Sequence, residues 1–135
     1  MNIQLKGWNI TNLSLSVLND ESKRDDNSFS LETGNYFSDQ KDDNSFGVEF
    51  KIKISDQEFN LVIEAIFHFE LVDEKISEAF KLSSLPKVNA PAIAFPFIRA
   101  YISNLTLQSG FKPVMLPSIN FAKLASQDNA SAHND

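Results

Sequence analysis

Asn89 to Leu124 reads NAPAIAFPFIRAYISNLTLQSGFKPVMLPSINFAKL, and this stretch decides the fold. Pro96 fits the first turn of a helix, where backbone N–H groups have no intrahelical partner. Phe97, Ile98, Tyr101, Ile102 and Leu105 then recur at intervals of three and four, a helical period. Gly110 stands where a left-handed residue closes a helix. Pro113 and Pro117 flank Val114, Met115 and Leu116 and hold that segment extended. Ile119, Asn120 and Phe121 lead into Ala122 and Leu124, the start of a second helix. The expectation is a long helix from about Ile93 to Ser109, an extended link and a short terminal helix ending near Leu124 or Ala125.

Upstream of it the period changes from about 3.6 to 2. Ile3 and Leu5 alternate with polar residues, as do Leu13, Leu15 and Val17. The apolar phase slips around Gly7, Trp8 and Ile10, and a bulge at Gly7 reconciles the two runs in one long strand. Phe29 and Leu31 open a second strand that runs out between Gly34 and Phe37. Phe46 to Ile54 alternates most cleanly, and Ser55, Asp56 and Gln57 form a hairpin turn. Phe59 to Leu71 continues as a fourth strand, with Val62 and Ile66 as apolar residues on its outer side. Val72 to Val88 is an irregular connection with one amphipathic turn through Ile76, Ala79 and Phe80. The fold class is α+β, four antiparallel strands followed by two helices. A single domain over residues 1–125 and a disordered polar tail over 126–135 are expected.

Composition narrows the function. With 18 acidic and 12 basic residues the net charge is -6, which opposes nucleic acid as a partner, because phosphate must be neutralised by Lys and Arg. There is no cysteine, so disulfides, thiolate zinc sites and a Cys nucleophile are excluded. No segment has the length and apolarity of a signal peptide or membrane span, so a cytoplasmic protein without membrane insertion is expected. His68 lies on a strand and His133 in the tail, which makes no metal pair. The acidic pairs, such as Asp25 with Asp26, lie in polar loops rather than across an apolar cleft, as acid–base catalysis requires. No glycine run cradles a phosphate. Neither an enzyme nor a cofactor is expected.

The order of FPFIRAYIS, Gly110-Phe111, Leu116-Pro117, Ile119-Asn120-Phe121 and Leu124 resembles the C-terminal half of the SecB family of protein-export chaperones. The resemblance implies a homo-oligomer, a tetramer of paired dimers rather than a plain dimer, assembled through the long helix. Ile98, Tyr101, Ile102 and Leu105 are its interface residues. It also implies an ATP-independent holdase that binds unfolded polypeptide clients in a groove, for which Phe29, Leu31, Phe121 and Leu124 are the corresponding positions. Ordinary core is the alternative for all four. The connection before the second strand, Asn19–Asn27, is short and charged where the family carries aromatic residues and proline, which implies a smaller or more open groove. The family's docking face for the SecA motor corresponds to Asn12, Ser16, Val62 and Glu64. Only Glu64 is acidic there, which implies weak SecA docking. A dedicated chaperone, for instance of an antitoxin, and a structural interaction module without a client cycle are the competing readings. Aggregation suppression separates the last from the chaperones.

Overall fold

The computed structural model describes residues 2–40 and 42–130, the side chains of 128–130 excepted. The chain falls into two compact units, a sheet unit ending at Ile76 and a helical unit beginning at Ser77.

The sheet unit holds β1 (Ile3–Val17), β2 (Ser28–Phe37), β3 (Ser45–Ser55) and β4 (Phe59–Leu71), all antiparallel, in the order β1-β4-β3-β2. The alternation in the sequence is the cause of its two unlike faces. Phe46, Val48, Phe50, Ile52 and Ile54 of β3, and Phe59, Leu61, Ile63, Ala65, Phe67, Phe69 and Leu71 of β4, are all buried. One row runs across every strand, with Phe37 opposite Phe46, Phe46 opposite Phe69 and Phe69 opposite Leu5. Its rings stack, Phe37 on Phe46 with centroids 6.2 Å apart and Phe46 on Phe69 at 5.3 Å. Trp8 lies flat on Phe67 at 4.7 Å, and Phe50 meets Phe67 edge-on. Eight of the twelve phenylalanines are buried, so Phe enrichment is chiefly core.

β1 carries two register shifts against β4, one between Leu5 and Gly7, the other between Ile10 and Asn12. The first is the expected bulge. The second follows from parity: one extra residue moves the apolar phase from odd to even positions, and Leu13 and Leu15 return to odd only through another.

In the helical unit a short helix, α1 (Glu78–Leu82), starts at Ser77, whose hydroxyl accepts the Phe80 N–H; it holds Ala79 and Phe80 of the expected amphipathic turn, while Ile76 precedes it. A π-helical turn over Leu85–Asn89 runs directly into α2 (Ala90–Gln108). The long helix therefore begins before Ile93, and Pro91, not Pro96, occupies its first turn. Pro96 lies inside the helix, and both it and Ala92, whose carbonyl it leaves without an N–H, are exposed to water. Gly110 closes α2 at φ 93°, with the Phe111 N–H bonded to the Thr106 carbonyl. Asn120 caps α3 (Phe121–Ala130) by accepting the Lys123 N–H. This helix passes Ala125 because, once nucleated, a polar residue extends it at little cost; residues 131–135 of the expected tail lie outside the described residues.

Arg99, Ser103 and Thr106 of α2 fasten the extended link, Ser103 through the Met115 sulfur and the other two through the link's backbone. Arg99 Nε donates to the Leu116 carbonyl at 2.6 Å, and fully buried Thr106 accepts the Val114 N–H at 2.9 Å while donating to the Ile102 carbonyl. Thr106→Val keeps the shape and strands the Val114 N–H. Denaturant unfolding should show a loss of about 1–3 kcal/mol, with no change in the slope of the transition.

Candidate functional site

No group of three or more metal-binding side chains occurs among the described residues, and no helix there is long and apolar enough to cross a membrane. The sites that the structure offers are surfaces.

The first is the start of β2. Phe29 stands opposite Ile54 and Leu31 opposite Ile52, on the face of the sheet that carries the buried rows. Yet Phe29 is 37% exposed and Leu31 half-buried, while Ile54 and Ile52 are buried. β2 is an edge strand, so its residues have a neighbour on one side only. The edge position leaves a pair of large apolar side chains partly open.

In the helical unit the two other groove positions differ from each other. Phe121 is buried, its ring 5.6 Å from that of Phe95 in an edge-to-face contact. Leu124 is half-buried. Phe121 thus presents no open surface. It anchors the first turn of α3, and the helical period alone does not separate that role from a groove position.

The opposite face of the sheet gathers Asn12, Ser14 and Ser16 of β1 against Glu64, Val62 and Asn60 of β4. Asn12 is directly opposite Glu64 and donates its amide to that carboxylate at 3.3 Å. On the other side Lys51 is the cross-strand partner of Glu64, and Glu32 that of Lys51. Opposite charges alternate along this row, so Glu64 sits between an amide donor and an ammonium group that partly offsets its charge. Val62 and Ile66 are half-buried, and Ile66 lies over Gly47, where an added Cβ would come within 3.1 Å of its terminal methyl. A glycine directly beneath it covers part of that outer apolar surface. His68 Nε2 lies 2.9 Å from Asn9 Oδ1, a satisfied strand histidine. The Tyr36 phenol is held above its ordinary pKa by its hydrogen bond to the Glu49 carboxylate and by that carboxylate's charge. Backbone N–H donation from Ser45 holds the Asp43 carboxyl below the ordinary carboxylate range.

A third surface lies on α2. Ile98 and Ile102, placed at an interface by the sequence reading, are fully buried in the single chain, and Tyr101 and Leu105 are half-buried. The open apolar positions are instead Ile93, Phe97 and Leu107, exposed to 42%, 50% and 53%. With exposed Ala100 and Asn104 they follow a 4-3-4-3 spacing, one stripe along the helix. Only Arg99 is charged in all of α2, and it is turned to Leu116. Periodicity marks both faces of such a helix as apolar, and only the fold tells which is covered.

A family model described as "Preprotein translocase subunit SecB" matches residues 3–132. An uncharacterized protein of Methanocaldococcus jannaschii is 39% identical over 62 residues, 46% of this chain and 38% of that protein. A protein-export protein SecB of Anaplasma phagocytophilum is 39% identical over 59 residues, 44% of this chain and 36% of its own. The match thus spans well under half the length of these relatives. Among solved structures, a SecB-like chaperone of Mycobacterium tuberculosis, in complex with a peptide from the HigA1 antitoxin, aligns with a TM-score of 0.65 at 14% identity, covering 87% of each chain. A Streptococcus agalactiae protein of unknown function aligns with a TM-score of 0.61 at 14% identity, covering 87% of this chain and 98% of that one.

Proposed function

Because the chain belongs to the SecB family, we propose that it is an ATP-independent holdase chaperone, cytoplasmic, that binds unfolded or export-competent polypeptide. The carrying observation is the open apolar pair at the start of β2: Phe29 and Leu31 stand partly exposed in a sheet whose other apolar rows are mostly covered. An apolar side chain of an extended client gains about 25 cal/mol for each Å² it removes from water there. Repetition along a long client multiplies weak contacts, and such contacts release without nucleotide hydrolysis. Leu124 is a further client contact on the helical unit, and Phe121 supports its helix. That a SecB-like chaperone of the same fold is known with an antitoxin peptide supports polypeptide as the ligand, and favours a dedicated antitoxin chaperone as the second reading.

Replacing Phe29 and Leu31 together by Ser should abolish suppression of client aggregation and leave the melting temperature close to that of the unaltered protein. Phe121→Ser should instead cost about 3–5 kcal/mol, as a core truncation does. Light scattering of an aggregating client beside thermal denaturation reads both outcomes. A double variant that suppresses aggregation normally would remove these residues from the client surface.

The assembly proposed is a homotetramer of paired dimers, with the stripe of Ile93, Phe97 and Leu107 at one of its interfaces, flanked by Tyr101 and Leu105 and backed by Ile98 and Ile102. A second copy is the covering surface, because the stripe is nearly free of charge and apolar at both ends about a central Ala100, as a two-fold contact requires. Phe97→Asp should lower the mass found by multi-angle light scattering at micromolar concentration while the circular dichroism spectrum is kept. A single-chain mass for the unaltered protein would contradict the proposal.

SecA is proposed to dock weakly or not at all on Asn12, Ser16, Val62 and Glu64, since Glu64 is the one carboxylate of the four and lies beside Lys51. Asn12→Asp with Ser16→Glu should strengthen binding of SecA's basic C-terminal segment in calorimetry. The gain is offset by about 0.2–1 kcal/mol of stability, from setting Asp beside Glu64. Sub-micromolar, salt-sensitive binding by the unaltered face would refute the weak-docking reading.

A further inference from the structure

β1 and β2 are the two edges of the sheet, so the connection Asn19–Asn27 must cross the ends of β4 and β3. It contains no apolar residue with which to pack. Hydrogen bonds to the β3–β4 turn hold it. Gln57, at the tip of that turn, is gripped at three atoms: its N–H donates to Asn27 Oδ1, its Nε2 donates to the Asp25 carbonyl, and its carbonyl accepts the Arg24 N–H. Arg24 reaches back, donating from one guanidinium nitrogen to the Asp56 carbonyl at 2.7 Å and from the other to Asn60 Oδ1 at 2.8 Å. Leu18 N–H to the Glu58 carbonyl completes the seam. Arg24 is half-buried in a loop whose other residues are exposed.

The seam ends at Asn27, one residue before β2 pairs Ser28 with Ser55 and two before Phe29 pairs with Ile54. The first residues of an edge strand fray unless something holds the chain ahead of them. We infer that Arg24, clasped with Gln57, is a positioning residue of the client surface: it holds the entry of β2 in register and so sets the pose of Phe29 that a client meets. The inference rests on the chaperone reading. A planar guanidinium can serve two acceptors in a fixed fork, which a lysine cannot reproduce.

The test compares the unaltered protein with Arg24→Ala, Arg24→Lys and Phe29→Ser, well below their melting temperatures. Amide hydrogen exchange is followed along the chain, and affinity is measured for a permanently unfolded, carboxymethylated polypeptide carrying fluorescein. Arg24→Ala should speed exchange at the protected amides of Ser28–Leu31 at least about tenfold, leave β4 protected, and weaken client affinity by at least about tenfold, since either of the two charge-assisted hydrogen bonds it removes accounts for about that much. Arg24→Lys should fall between. Phe29→Ser should weaken affinity with exchange unchanged, which separates the contact residue from the residue that positions it. Should Arg24→Ala fail to fold, Asn60→Ala removes one of the two guanidinium acceptors and takes its place. Unchanged exchange at the start of β2 would overturn the inference, and so would faster exchange with unaltered client affinity, since the clasp would then be structural only. An unaltered protein that captures no client would overturn the chaperone reading and this role with it, while its exchange pattern would still show whether Arg24 secures the strand.

Discussion

The sheet unit depends on the pairing of β3 with β4. Every second residue of both strands, from Phe46 to Ile54 and from Phe59 to Leu71, points to one face and is buried there. A slip of one residue would carry all of these side chains to the face that now bears Glu49, Lys51, Lys53, Glu64 and His68. Neither the apolar rows nor the charged rows could tolerate that exchange, so the register is fixed by both faces at once. β1 and β2 take their places against this hairpin, and the stacked row from Phe37 through Phe46 to Phe69 joins three strands by ring contact.

The same pairing explains why the two faces differ in chemistry. On the charged face, Glu32, Lys51 and Glu64 succeed one another across neighbouring strands, so Lys51 offsets part of the carboxylate charge within a single row. The net charge of -6 is mostly carried elsewhere, in the loops around β2 where Asp20, Glu21, Asp25, Asp26, Asp39, Asp42 and Asp43 occur. Exposed charges so placed act over about 8–10 Å at physiological salt, and they do not turn the face of Glu64 into an acidic patch.

Much of this was legible in the residues. The β3 and β4 alternation, the bulge near Gly7 and the Gly110 closure all have local causes, and the chain adopts each where those causes lie; the hairpin turn falls one residue later than expected, at Asp56–Glu58, because Ser55 still pairs in β3. The start of α2 was not legible, because Pro91 and Pro96 are equally good first-turn residues and only the preceding π-helical turn favours Pro91. The second irregularity of β1 needed a parity count. At the surfaces, period alone marks Ile98 and Phe97 alike as apolar, although one is wholly buried and the other half exposed. The Arg24–Gln57 seam leaves no periodic trace, since it joins two polar turns through hydrogen bonds rather than through a repeating pattern.

The strand order has a kinetic side. β1 is made first but pairs only with β4, so its partners lie about 40 to 70 positions later in the chain. Until β4 has left the ribosome, the longest strand of the sheet has no native neighbour, whereas β3 and β4 can close at once through a three-residue turn. Long-range pairing of this kind slows folding. During synthesis the nascent chain carries β1 as an unpaired, partly apolar segment, the kind of exposed strand that is prone to aggregate.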